Sequence, residues 1–356
     1  MRILCVCPIG IGNYLLCYPA FSELKRLVPG VSLHMLALRN GVASIAGKDD
    51  LWEKIHVFDP TQLPGNLAGI ARSLSDLRKQ KFDACLNYFP SNTWHYHLLP
   101  WLLGISLRYG FKYGFAPLSK LPFLCNKTIP VNGELHDVQQ NLALTAFFTG
   151  NKKADSSEVV FPKLFDENDL QWAKNYLASI SPGACFIGIH PGSSREHGMG
   201  AKRWSADSMA GLADKACKAL NAEALILGGP DERDVKIKCA GSMKRRAHIV
   251  EAITLARTSA LMTLCRMCIC NDSGLMHISA CQGTPTVGIF GPTDEKRNGP
   301  VGVKTLVIRK IMPGFPVWTA LNVGDRKSKG VDPGFSLREL SVDYAWGKLS
   351  PWMDNL

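Results

Sequence analysis

Hydrophobic and polar positions alternate between strand-like and helix-like periods through most of the chain. Residues 3–8 form a short apolar run that predicts a buried strand. Residues 15–28 then place Leu16, Ala20, Leu24 and Val28 at helical spacing before the break at Pro29-Gly30. Further strands are predicted at 32–38, 55–59 and 82–88, separated by helical segments near 41–47 and 66–80. From 90 to 165 the pattern weakens, and its proline, aromatic and asparagine content predicts long loops and short helices. A polar helix at 166–180 and the break Ser181-Pro182-Gly183 precede a second series. Its strands are predicted at 184–190, 223–229, 248–250, 267–270 and 285–290, and its helices near 206–220, 231–240, 252–264 and 275–282.

Alternation of this kind produces βαβ crossovers and parallel sheets. The expected fold is therefore α/β, with two doubly wound domains facing each other across a cleft. Their expected bounds are 1–180 and 181–330, and 331–356 is expected to carry a helix (335–346) that returns to the first domain. Ligands of open α/β sheets bind beyond the carboxyl ends of the strands, so the loops there are where chemistry is sought.

Composition narrows the classes. The chain has 356 residues, 46% hydrophobic and 20% charged, which suits globular domains with full cores and excludes disorder as the main state. No run of eighteen apolar residues marks a membrane span. The apolar N-terminus is interrupted by Pro8, Gly10, Gly12, Asn13 and Pro19, which suits a strand and loop better than a signal peptide. Twelve scattered cysteines fit a reducing compartment, and a cytoplasmic location is expected. Cys265, Cys268 and Cys270 lack an evident fourth ligand and read as small apolar filler, so neither a metal nor a cofactor is expected. A net charge of +11 is compatible with nucleic acid, an anionic membrane face or phosphate-bearing substrates. No zinc-finger spacing or RNA-recognition motif supports nucleic acid, which is not an expected partner.

Five segments at strand ends hold candidate chemistry. Pro8-Ile9-Gly10-Ile11-Gly12-Asn13 joins the first strand to the first helix, where glycines let a ligand approach the backbone. Neither a dinucleotide fingerprint nor a phosphate-binding P-loop is formed, because Leu15 follows Gly12 by three and no Gly-Lys-Ser/Thr is present. His190-Pro191-Gly192-Ser193-Ser194 and Ala201-Lys202-Arg203-Trp204 supply hydroxyls and two cations for phosphate oxygens, with Trp204 as an anchor. Gly228-Gly229-Pro230-Asp231-Glu232 reads either as a nucleoside contact through Glu232 or as an ordinary helix cap. Asn271-Asp272-Ser273-Gly274-Leu275-Met276-His277 points the amides of Ser273 and Gly274 at an anion on a helix axis and puts His277 in the first turn. Gly291-Pro292-Thr293-Asp294 repeats the strand-to-loop arrangement one strand later.

These motifs in this order, together with Gly104-Ile105 through Arg108-Tyr109-Gly110, resemble glycosyltransferase family 9, the heptosyltransferase-like enzymes of lipopolysaccharide assembly. The resemblance implies a GT-B architecture of two Rossmann-like domains, with the nucleotide sugar bound mainly by the second. It implies inverting, metal-independent transfer from a donor such as ADP-heptose to a lipid-linked saccharide. It assigns Lys202 to the donor diphosphate, Ser273, Gly274 and the helix start to the same charge, and Asp272 and His277 to diphosphate-side or sugar hydroxyls. Glu232 falls to the nucleoside, Ser193 and Ser194 line the phosphates, and Gly10, Gly12 and Thr293 complete the substrate contacts.

One position departs from the pattern. The family's N-terminal loop ends in Gly-Asp, whose aspartate is the expected base, whereas this chain has Gly12-Asn13. A neutral amide has no useful basicity, and general-base help amounts to about 10²–10⁴ in rate. Three readings follow. Glu134, His136 or Asp137 acts as the base; or the proton leaves late and Asn13 orients the hydroxyl; or the protein binds nucleotide sugar or glycan without transfer. Sugar-nucleotide epimerisation is a further alternative on a related fold. The aromatic stretch from Trp94 to Trp101 has two readings: a buried helix of the first domain, or an interfacial segment in peripheral contact with an anionic inner membrane.

Overall fold

The computed structural model describes residues 1–7, 10–37, 40–58, 67–114, 118–151, 159–194, 196–251, 253–320 and 330–356. Pro8 and Ile9 of the first glycine-rich loop lie outside them. Within the described residues the chain forms two units, one spanning Met1–Pro162 with a short return segment beginning at Thr319, the other holding most of the remainder.

The first unit contains strands β1 (Arg2–Cys7), β2 (Ser32–Ala37), β3 (Lys54–Val57), β4 (Ala84–Asn87), β5 (Leu107–Lys112) and β6 (Lys127–Pro130). All pairs are parallel, in the order β3-β2-β1-β4-β5-β6. The N-terminal apolar run is thus a central strand. Ile3, Leu4, Cys5 and Val6 are buried because helices cover both faces of a parallel sheet. Its helices are α1 (Ile11–Leu27), α2 (Asn40–Ala46), α3 (Leu67–Lys79), α4 (Trp94–Leu102) and α5 (Asp137–Thr149).

The second unit repeats the topology with β7 (Cys185–His190), β8 (Ala222–Ile226), β9 (Ala247–Ile249), β10 (Met267–Asn271), β11 (Thr286–Ile289) and β12 (Thr305–Ile308). Their order is β12-β11-β10-β7-β8-β9, again wholly parallel. In each unit the winding reverses direction once, between β1 and β4 and between β7 and β10. Such a reversal leaves a crevice at the carboxyl ends of the two strands. The helices of this unit are α6 (Glu167–Ile180), α7 (Ala206–Leu220), α8 (Arg233–Ser242), α9 (Leu255–Thr263), α10 (Gly274–Cys281), α11 (Glu295–Asn298), α12 (Phe335–Arg338) and α13 (Val342–Met353).

Three expectations need correction. Residues 90–165 hold two strands and a 13-residue helix where loops were expected. β5 and β6 lie toward the sheet edge and are partly exposed, so they lack a continuous apolar run. α5 buries Gln140, Asn141 and Thr145, which obscures its apolar stripe. These side chains are satisfied by hydrogen bonds: Asn141 Nδ2 donates to Cys17 Sγ at 3.2 Å, and Thr145 Oγ1 to the Ala20 carbonyl at 3.1 Å.

The boundary near 180 is also displaced. α6 packs against α9 of the second unit, with the Arg257 guanidinium 4.7 Å over the Trp172 ring, so the division falls after Pro162. Finally, the C-terminal segment does not return to the first unit. α13 packs on α7 and β12, its Ala345, Leu349 and Met353 enter the second core, and the Leu340 carbonyl accepts from Trp204 Nε1 at 3.0 Å.

Candidate functional site

The loops after β7 and β10 meet at the reversal point of the second sheet. Asn271, the last residue of β10, ties them together. Its Nδ2 donates to the Pro191 carbonyl at 2.8 Å, and its Oδ1 accepts from the Trp204 amide at 3.1 Å. Trp204 is buried beneath, so the segment that carries Lys202 is anchored on both sides. Neither Asn271 nor His190 drew a role from its sequence context. Both are the final residues of central strands, and that position is the signal that would have marked them.

α10 begins at this junction. Ser273 caps it, its Oγ accepting from the Met276 amide at 3.4 Å. The amides of Gly274 and Leu275 then lack carbonyl partners in the helix and point along its axis, a site of positive potential. His277 is buried within the first turn, Thr293 is buried after β11, and Gly274 is partly open.

Lys202 ends a 3-10 turn (Glu196–Lys202), and its Nζ lies 2.9 Å from Asp272 Oδ2, with both residues buried. Burial by itself would raise the Asp272 carboxyl. The Lys202 ammonium, through charge and hydrogen bond, outweighs it and holds the carboxyl below its ordinary value, helped by the Thr293 hydroxyl and His277. A cation is therefore held beside a helix start.

Glu232, expected to contact the nucleoside, is held by groups of the protein. Its carboxylate turns into the protein, where His190 Nε2 donates to Oε2 at 3.0 Å and the Gly229 amide donates to the same oxygen at 2.9 Å. Arg203 Nη2 stands 3.5 Å from Oε1. Burial pushes this acid up, but the His190 hydrogen bond and charge, the Gly229 amide and Arg203 together bring it down to about 2. His190 Nδ1 continues the chain to Ser273 Oγ at 2.9 Å. Since a carboxylate only accepts, Nε2 carries the proton toward Glu232.

Arg203, expected to face phosphate, is a loop clamp. Its Nε and Nη2 both donate to the Ser193 carbonyl. Ser193 is buried, with Oγ 3.4 Å from the Met199 carbonyl, while Ser194 is exposed. Two glycines are required here by close approach. A Cβ on Gly192 would overlap Glu232 Oε1, and one on Gly228 would lie 2.9 Å from Oε2. The glycine of His190-Pro191-Gly192 thus makes room for a buried carboxylate.

In the first unit, Gly10 precedes α1 and Asn13 lies in its first turn, half-buried with Gly12. The Asn13 Nδ2 sits 3.5 Å from where a Gly10 Cβ would stand. α1 and α5 share hydrogen bonds at one register: Asn141 meets the Leu16 carbonyl and Thr145 the Ala20 carbonyl, both pairs 125 residues apart. Continued to the helix starts, that offset sets Asp137 level with Gly12. Asp137 is wholly buried, however, and His136 caps α5 with Nδ1 accepting from the Val138 amide at 3.2 Å. Glu134 is exposed.

The three clustered cysteines are buried. A Cβ on Gly188 would lie 2.6 Å from Cys268 Sγ, so these thiols fill space that glycine leaves beside β7. Among the described residues, no group of three or more His, Cys, Asp or Glu side chains is placed to hold a metal ion.

Two Rossmann-like units of this topology are the GT-B architecture, which the solved heptosyltransferases share. The chain belongs to glycosyltransferase family 9 (heptosyltransferase), whose family model matches residues 70–316. It is 24% identical to lipopolysaccharide heptosyltransferase 2 of Escherichia coli over 325 residues, covering 87% of this chain and 88% of that protein. Among solved structures, a family 9 glycosyltransferase from Veillonella parvula matches with a TM-score of 0.78 at 18% identity, covering 100% and 98% of the two chains. The E. coli heptosyltransferase WaaC, solved with ADP-2-deoxy-2-fluoro heptose, matches with a TM-score of 0.70 at 17% identity over 99% of each.

Proposed function

We propose that this glycosyltransferase moves a heptose from ADP-heptose to a lipopolysaccharide acceptor, with inversion at the anomeric carbon and without a metal ion. The single observation that carries the reading is the buried Lys202–Asp272 pair beside the start of α10. In the transfer, an acceptor hydroxyl oxygen attacks the anomeric carbon, the bond from that carbon to the β-phosphate oxygen breaks, and ADP departs with the electron pair. Lys202 and the amides of Gly274 and Leu275 answer the growing diphosphate charge, and a preorganised donor of this kind contributes about 10²–10³-fold. Asp272 fixes the ammonium in place, while His277 and Thr293 border the same position. Support for a protein-supplied charge comes from the two buried acids at these loops: Asp272 is already answered by Lys202, and Glu232 by His190 and Arg203. The names of the relatives favour heptose and lipopolysaccharide as substrates.

On the acceptor side, Asn13 takes the place of the family's aspartate. Asp137 is buried out of reach of a sugar hydroxyl, and the His136 ring is committed to its cap. We therefore assign Asn13 to orienting the hydroxyl through its amide oxygen, with the proton leaving late to solvent water. No described helix is long and apolar enough to cross a membrane. A cytoplasmic enzyme that meets its lipid-linked acceptor at the inner face of the inner membrane fits this reading.

Product analysis tests it. Purified enzyme with ADP-heptose and a deacylated acceptor saccharide should yield extended saccharide and ADP, undiminished by a chelator, and ADP but not UDP should raise the melting temperature. Binding without turnover would leave a nucleotide-sugar or glycan-binding protein, and an altered sugar nucleotide would show an epimerase.

A further inference from the structure

His190, the last residue of β7, joins two groups that belong to other elements. Its Nε2 lies 3.0 Å from Oε2 of Glu232, the residue before α8, and its Nδ1 lies 2.9 Å from Oγ of Ser273, the cap of α10. All three residues are buried. The far end of this chain is fixed as well. The Gly229 amide donates to Glu232 Oε2 at 2.9 Å. One turn into α8, the buried Lys236 donates from Nζ to the Val250 carbonyl at 2.8 Å and to the Gly228 carbonyl at 3.3 Å. The ends of β8 and β9 thus clasp the helix start that carries Glu232.

Distance ranks the two bonds of the Ser273 hydroxyl. A capping oxygen ordinarily accepts from its own helix at about 3 Å. Here the Met276 amide stands 3.4 Å away, whereas His190 Nδ1 is at 2.9 Å. The cap of α10 is therefore held more closely by a neighbouring strand end than by the helix it begins. On one side of Ser273 is Asp272, whose Oδ2 meets Lys202 Nζ. On the other is Gly274, the first residue of the helix. A turn of the Ser273 backbone would move both the cation and the leading amides.

We propose that His190, steadied by Glu232, is a positioning residue for the donor diphosphate: through Ser273 it sets the first turn of α10 and, with it, the Lys202–Asp272 pair. Glu232 then serves the transfer from behind the site, through the imidazole, and not as a contact to the nucleoside. Burial makes such a strut effective, because a hydrogen-bonded chain out of water has no competing partners to exchange with. This assignment rests on the reading that the start of α10 receives the diphosphate, and one arm of its test uses the protein without any nucleotide.

Two substitutions divide the ring. His190→Gln places an amide where Nε2 stands, keeping a donor for Glu232 and abandoning Ser273. His190→Asn places one where Nδ1 stands, keeping a partner for Ser273 and abandoning Glu232. Calorimetric titration of ADP into the full chain, with urea unfolding beside it, should rank them in opposite orders. The Gln variant should bind ADP about tenfold more weakly than the wild type. The Asn variant should lose more stability than the Gln variant and yet bind ADP more tightly than it. Ser273→Ala should also weaken ADP, and His190→Gln added to it should weaken ADP no further. Additive losses, or an Asn variant that binds ADP no better than the Gln variant, would overturn the proposal. A crystal structure of the unliganded Gln variant should show Ser273 and the first turn of α10 displaced, and unchanged positions would overturn it whichever nucleotide binds. Failure of the wild type to bind ADP would count against the donor reading, and the crystallographic comparison would then decide this assignment by itself.

Discussion

Lys202 Nζ and Asp272 Oδ2 lie 2.9 Å apart in a buried pair that joins the loop after β7 to the loop after β10. An ion pair out of water is a weak source of net stability, but removal of one partner leaves the other as an uncompensated charge. The pair holds an ammonium at the position where the proposed transfer places the diphosphate.

Lys202→Ala should lower kcat by about 10²–10³-fold and destabilise the fold by about 3–5 kcal/mol through the stranded Asp272. Lys202→Met/Asp272→Asn should restore most of the stability without restoring turnover. Urea denaturation and single-turnover kinetics separate the two effects. Recovery of turnover in the double variant would remove Lys202 from its assigned role.

Gly192→Ala should destabilise by about 1–3 kcal/mol or more, since the added methyl overlaps the buried Glu232 carboxylate. Gly192→Ala/Glu232→Ala should recover part of that loss, measured by the coupling between the two changes in urea. Independent, additive effects would contradict the contact.

Glu232 and the histidine pair predict acid sensitivity in two separate windows. Burial, with lesser contributions from His34 and Lys54, brings His56 down to about 4, and its ring stacks on His34 with Nε2 3.1 Å from His34 Nδ1. The unfolded chain takes up this proton near 6.5, so stability is lost as pH falls from there toward 4. Glu232 contributes above its ordinary value of 4.5, and that contribution is lost as pH falls toward about 2. Urea unfolding against pH should show His56→Gln flattening the upper window and Glu232→Gln the lower one.

Asn13→Asp distinguishes a positioning amide from a missing base. With Asn13 orienting the hydroxyl, the aspartate variant should lose transfer rate at neutral pH while keeping donor binding, seen as an unchanged ADP thermal shift. A gain of about 10²–10⁴ would show that a base was lacking. Asp137→Asn should change stability more than kcat, because its carboxyl is enclosed.

Both units were legible in sequence wherever strands are buried on both faces. Residues 3–6 and 267–270 are unbroken apolar runs because no solvent-facing position interrupts them. β5, β6 and β12 escaped because they are partly exposed and lack an unbroken apolar run, and α5 because its Gln140, Asn141 and Thr145 are polar and buried, satisfied by hydrogen bonds to other parts of the chain. The loops at the strand ends were legible too, because glycine, capping serine and the start of an apolar helix are local signals.

What the chain order alone determined was the set of loops and the kinds of group they offer: amides at Ser273 and Gly274, a cation at Lys202, an amide at Asn13. Which of these face a ligand and which face inward was decided only by the tertiary structure. Glu232 and Arg203 look equally available in sequence, yet both are consumed in a network with His190 and Ser193. The helix at the C-terminus likewise took its place on α7 and β12 through its apolar face, whatever unit precedes it. The physical reason is range. A strand, a cap or a turn is set by neighbours within a few residues. The fate of a charge depends on which distant strand end brings it a partner before solvent or substrate does.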